Sequence, residues 1–149
     1  MDLDDTDRAI LRELQRNART PFSEIARRID MSSATVHDRV TRMEEEGVIR
    51  GYHAEVEPSA LDLEIEAYVG LRIEQGMAPH VLEAVEGVPA VQEVVLVTGE
   101  WDVIMRLVVH NTAELRELMF GRIADIEGFD RSQTMVVLGH EIESHVLPM

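Results

Sequence analysis

Residues 21–47 read PFSEIARRIDMSSATVHDRVTRMEEEG, and their spacing decides the first half of the chain. Phe22, Ile25, Ala26 and Ile29 fall on one face of a short helix, Asp30-Met31-Ser32 makes a tight turn, and Ser32 or Ser33 caps a second helix. In that second helix Val36, Val40 and Met43 repeat at i, i+4 and i+7, and Gly47 stands where a helix ends. Upstream, Leu3, Ile10, Leu11 and Leu14 predict a longer helix with an acidic start (Asp4, Asp5, Asp7), which suits caps and the helix dipole. Two short helices joined by a tight turn behind a longer one form the helix-turn-helix layout. Residues 48–56 then read as an extended wing or connecting strand. Glu57-Pro58-Ser59 reads as a boundary, because Pro58 cannot continue a central ladder.

The second half has a different rhythm. Ala67, Val69, Leu71 and Ile73 alternate against Tyr68, Gly70 and Arg72, a strand over 67–74. Pro79 opens a helix through Val81, Leu82 and Val85 that Gly87 stops. Strands follow over 91–98 and 101–110, joined by Gly99-Glu100, with glycine at the first central position of a type II′ hairpin turn. Asn111 and Glu114 sit at the N-cap and N3 positions of a second helix whose inner face is Leu115, Leu118, Met119, Arg122 and Ile123. A last strand spans 132–140. The order β-α-β-β-α-β is that of a ferredoxin-like module, so the expected fold is α+β. The expected division is a winged helix-turn-helix domain over 1–50, a connecting strand and linker over 51–63, and a ferredoxin-like domain over 64–149.

Several strands are apolar on both faces: Val95 and Val97 against Val94 and Leu96, and Val103, Met105 and Leu107 against Ile104 and Val108. Two helices cover only one face of such a sheet. The other needs a partner, and the simplest is the same sheet of a second subunit. A homodimer is expected.

Composition narrows the chemistry. The 149 residues hold 14 basic and 29 acidic side chains, a net charge of −15, and no cysteine. That excludes disulfides, zinc-thiolate and iron–sulfur sites and thiol catalysis. All the basic residues are arginine, and they are unevenly placed: nine Arg against eleven acids in residues 1–50, five against eighteen in 51–149. The acidic surplus therefore belongs to the second half, which leaves nucleic-acid binding open to the first. No apolar run approaches the roughly 20 residues of a membrane span, and the acidic opening does not read as a signal peptide, so no membrane association and a cytoplasmic location are expected.

The opening 3–11 (LDDTDRAIL), the helix from Phe22 to Ala26, the run from Ser32 to Ile49, Gly51-Tyr52, and Thr98-Gly99-Glu100-Trp101-Asp102 together resemble the Lrp/AsnC (feast/famine) family of transcriptional regulators, over essentially the whole chain. That resemblance implies that the third helix enters the major groove of double-stranded DNA. Ser32, Ser33, Thr35, Val36, Arg39 and Arg42 then face DNA with His37 nearby, and Arg27 and Arg28 clamp the backbone. Asp38 departs from the family's usual basic or neutral residue; either it pairs with Arg42 at i, i+4, or the base preference differs. The resemblance also implies a small-molecule effector, usually an amino acid, bound where dimers meet to form tetramers or octamers. The residues for it are Thr98, Gly99, Glu100, Trp101, Asp102, Gln133 and Thr134: glycine amides for an α-carboxylate, Glu100 or Asp102 for an ammonium group. Trp101 is either a pocket wall or an interface residue. No catalytic residue, resident cofactor or metal site is expected, since histidines 37, 53, 80, 110, 140 and 145 share no ligand spacing. Two rival readings use the same fold, a siroheme-decarboxylase-like enzyme and a small-molecule sensor without DNA binding. The arginine-only basicity and acidic surplus match adaptation to a high-salt cytoplasm, as in halophilic archaea.

Overall fold

The computed structural model describes residues 2–142, 144 and 146–148. Contacts divide the chain into two compact units, Met1–Glu55 with Glu141–Met149, and Val56–His140.

The first unit is built on α1 (Asp5–Arg16), α2 (Phe22–Arg28) and α3 (Ser33–Glu45). Asp4 caps α1 by accepting the Asp7 N–H at 2.8 Å, and the Asp7 carboxylate returns to the Asp4 N–H at 3.2 Å, a reciprocal box that fixes the helix start. Ser32 caps α3, its hydroxyl accepting the Thr35 N–H at 3.0 Å. The periodic residues then do what their spacing predicts: Ile10, Leu14, Ile25, Ala26, Val36, Val40 and Met43 form one buried core. Each large member adds roughly 1.5–3 kcal/mol by leaving water. Residues 48–56 are not a strand. They form no ladder among the described residues, because an extended segment becomes a strand only beside a partner segment. Tyr52 instead reaches back to α3, where its hydroxyl donates to Glu44 at 2.8 Å. Burial first, and then that bond to a carboxylate, push its phenol up to about 12.

In the second unit β1 (Ile65–Ile73), α4 (Ala78–Val85), β2 (Val91–Leu96), β3 (Val103–Val109), α5 (Thr112–Leu118) and β4 (Phe129–Val136) follow in the expected order. The sheet runs β2-β3-β1-β4, antiparallel throughout, which is the ferredoxin-like arrangement. Its helix-covered face buries Val69, Leu71, Val103, Met105 and Leu107 against Val81, Val85, Leu118, Met119 and Ile123.

Three local expectations are corrected. The β2–β3 hairpin closes with the Val97 N–H on the Asp102 carbonyl at 3.0 Å, so four residues, 98–101, span the turn rather than two. The cause lies in β1: the Asp102 N–H donates to the Leu71 carbonyl at 2.9 Å, and its carboxylate accepts the Ile73 N–H at 3.0 Å, which ties the loop's end to the neighbouring strand. The last strand, expected over 132–140, is Phe129–Val136: it begins earlier because a bulge at Arg72/Ile73 lets Ile73 pair with Phe129, and its pairing with β1 ends at Ala67 and Val136. Past Leu118 the helix widens into a single π turn, Met119–Ile123, closed by the Ala124 N–H on the Met119 carbonyl. The extra residue carries Ile123 into the core and leaves Arg122 exposed.

The face of the sheet away from the helices carries Tyr68, Val95, Ile104, Val108 and Met135, with Val97 just beyond β2. Tyr68, Val95, Val97 and Met135 are exposed. Among them sits Glu66, which accepts from Arg106 at 2.5 Å and contacts the His140 ring at 2.8 Å. Burial works to raise the Glu66 carboxyl, but the bonds to Arg106 and His140 outweigh it and hold the group below the usual carboxylate range. Among the described residues no helix is long and apolar enough to cross a membrane.

Candidate functional site

Helix α3 presents two faces. Val36, Val40 and Met43 point inward, and Val36 is fully buried. Placing Val36 toward DNA is therefore corrected: it opens the helix's own apolar stripe, and no side chain serves both faces. Ser33, Ala34, His37 and Asp38 are exposed, and the edge of the His37 ring packs on Phe22 of α2 with centroids 5.9 Å apart. The Thr35 hydroxyl is held by the capping Ser32 at 2.7 Å.

The arginines divide sharply. Arg39 bonds Asp4 at 2.6 Å and Asp7 at 2.8 Å, and Arg42 bonds the other Asp7 oxygen at 2.9 Å. The Asp7 side chain is 1% exposed and the Arg39 side chain only 24%. Asp38 therefore does not pair with Arg42; its nearest ionic neighbour is the His37 ring at 3.7 Å. The hydrogen bond from Arg39, with that from the Asp7 N–H, holds the Asp4 carboxyl below its usual range. Arg28 is gripped by Glu13 and Glu24, whose hydrogen bonds raise its pKa. Arg27 differs from all three, since its side chain is 77% exposed and meets Glu24 only at 4.0 Å. The acids at 4 and 7 look like simple caps in the sequence; their pairing with arginines some 35 residues on was missed. The matching i, i+3 spacing of Asp4/Asp7 and Arg39/Arg42 was the only signal for it.

In the second unit the hairpin residues converge on the open face of the sheet. Trp101 lies flat over Gly70 of β1, so near that a Cβ built on Gly70 would stand 2.6 Å from the ring. The Arg131 guanidinium stacks on the same ring at 5.0 Å and approaches Glu100 at 3.4 Å. Arg72 donates to the Gly99 carbonyl at 3.2 Å and to the Glu100 carbonyl at 2.8 Å, which fixes the loop. Gln133 pairs with Gly70 and shares this face, whereas Thr134 pairs with Val69 and belongs to the helix side. Gln133 and Thr134 are thus not one site, because successive strand residues point to opposite faces. Asp102, bonded to the Ile73 N–H and 3.6 Å from Arg72, is part of the loop's anchor. Gly70, Arg72 and Arg131 were missed. A glycine in mid-strand is the usual sign of a close approach, and it was there to be read.

Because Trp101 is the only tryptophan, its emission reports this contact alone. Gly70→Ala should tilt the ring off the sheet and shift its emission to the red, with the far-ultraviolet spectrum unchanged. An unshifted spectrum would show that the ring has room to spare.

Among the described residues no three His, Asp or Glu side chains gather as metal ligands, and His145 lies outside them.

Comparison with known proteins identifies both units. Residues 3–50 match a winged helix-turn-helix DNA-binding family model and residues 66–147 the Lrp/AsnC ligand binding domain. An uncharacterized HTH-type transcriptional regulator of Pyrococcus horikoshii is 36% identical over 92% of this chain and 87% of its own. The solved structure of Escherichia coli AsnC superposes with a TM-score of 0.89 at 27% identity, over 99% of this chain and 100% of that one. A Neisseria meningitidis transcriptional regulator solved with L-methionine shares the fold, with a TM-score of 0.92 at 24% identity over 99% of this chain and 97% of its own.

Proposed function

The chain belongs to the Lrp/AsnC family of DNA-binding transcriptional regulators, and from that membership we propose that α3 lies in the major groove with Ser33, His37 and Asp38 at base edges and Arg27 on a phosphate. Arg39 and Arg42 hold α3 against the start of α1 instead of reading bases. The observation that carries this reading is the division of α3 itself: a buried apolar stripe fixes its roll, and small or polar exposed residues occupy its first two turns. The second unit pairs two-fold through its open sheet face, which brings two α3 helices to half-sites about 34 Å apart or a multiple of it. The hairpin takes an amino acid: Arg131 or the Gly99 amide for the carboxylate, Glu100 for the ammonium group, Trp101 against the side chain. An effector so bound changes DNA affinity only if it favours one assembly over another. L-Methionine, the ligand of the Neisseria regulator, is the first probe, read by quenching of Trp101 emission.

The test of DNA binding uses a duplex from upstream of the chain's own coding region, titrated from dilute to molar KCl. The double variant Ser33→Ala/His37→Ala should lose at least about tenfold in affinity with its Tm unchanged. Arg27→Ala should weaken specific and non-specific binding alike, and flatten the salt slope by about two in a dimer. A folded dimer with no preference for any duplex at any salt would overturn the reading.

A further inference from the structure

We propose that Asp38 is a specificity residue that accepts a hydrogen bond from the N4 amino group of a cytosine, one per half-site; this rests on α3 being the DNA-reading helix. Asp38 is the sixth residue of α3, and its side chain is 84% exposed. It lies opposite the buried stripe of Val36, Val40 and Met43, in the middle of the surface that would face a groove floor. Ala34, one turn earlier on that surface, and Ser33 beside it are both small. The helix can therefore approach closely enough for a side chain as short as aspartate to reach a base.

Electrostatics makes an idle carboxylate there costly. The two arginines of α3 that could offset it are tied inward, Arg39 to Asp4 and Asp7 and Arg42 to Asp7, which leaves the His37 ring, 3.7 Å away, as its ionic neighbour. A negative charge between two phosphate chains is tolerated only where it meets a donor. In the major groove guanine offers N7 and O6 and thymine O4, all acceptors that repel a carboxylate. Adenine offers an N6 donor beside the N7 acceptor, which repels the second carboxylate oxygen. Cytosine offers the N4 donor with no acceptor next to it on its own edge. The same charge weakens binding to every wrong sequence, so Asp38 raises specificity while lowering total affinity.

The experiment is selection from a randomised duplex library with the full-length chain as wild type, Asp38→Asn and Asp38→Ala, after thermal melts confirm that all three fold alike. The wild type should enrich cytosine at one position of each half-site. Asp38→Asn should change that base to adenine, since an amide matches N6 and N7 together. Asp38→Ala should lose the preference there, by at least about fivefold, keep the other positions, and bind random DNA more tightly. If all three select the same sequence, the proposal fails while the DNA-reading role of α3 stands. If the wild type selects no sequence, that role fails and takes the proposal with it.

Discussion

Asp7→Ala should melt the N-terminal unit roughly 10–20 °C below the wild type, a loss of about 3 kcal/mol. The carboxylate is buried and makes three bonds at once: to the Asp4 N–H at 3.2 Å, to Arg39 at 2.8 Å and to Arg42 at 2.9 Å. Truncation opens the capping box and leaves Arg39, mostly covered, with only the exposed Asp4 to answer it. Asp7→Asn should recover part of the loss, since the amide keeps the volume and one of the two acceptor oxygens but not the charge. A melt within about 2 °C of wild type would mean that the arginines relax freely into water. This bears on how DNA-binding variants are interpreted. Arg39→Ala weakens the same network, so its loss of DNA binding would not by itself mark Arg39 as a base reader. A double-mutant cycle with Asp7→Asn separates the two roles: a purely positioning Arg39 shows full coupling, a reader shows an additional loss.

If the subunits pair through the open sheet face as proposed, Ile104→Asp should convert that dimer to monomers, weakening association by two orders of magnitude or more. Ile104 pairs with Gly70 on one side and Val95 on the other, so it occupies the middle of the open face. An aspartate there must either be buried unpaired in a sheet-to-sheet contact or keep the subunits apart, and the second costs less. The monomer itself should fold, because the substituted side chain lies outside the helix-covered core. Sedimentation at rising concentration checks the association, and DNA binding should fall with it, since one α3 reaches only one half-site. A variant that stays dimeric would place the subunit contact elsewhere.

Most of the architecture was legible because it depends on periodicity, and periodicity is local. The stripe Val36-Val40-Met43, the alternation from Ala67 to Ile73 and the Asn111 cap each point to one solution, and the comparisons with AsnC bear out the fold class they imply. What was not legible depends on pairs distant in sequence. The 98–101 loop is set by Asp102 bonding to β1, the start of β4 by a bulge at Arg72, and the inward turn of Arg39 by acids in another helix. The resemblance assigns Arg28, Arg39 and Arg42 to DNA, and no local pattern in the sequence shows that each guanidinium also meets carboxylates within the fold. Residues 48–56 carry strand-like composition, but a ladder is a property of two segments and the sequence displays one at a time.

The flat contact between Trp101 and Gly70 has a consequence for inheritance. Any side chain at 70 evicts the ring, and any smaller ring at 101 opens a gap over 70, so neither position is free to drift alone. Among descendants of this gene the two sites should change as a linked pair, a smaller residue at 101 arriving with or just before a side chain at 70. The route between such states passes through a damaged intermediate whichever site moves first, which slows divergence at the hairpin.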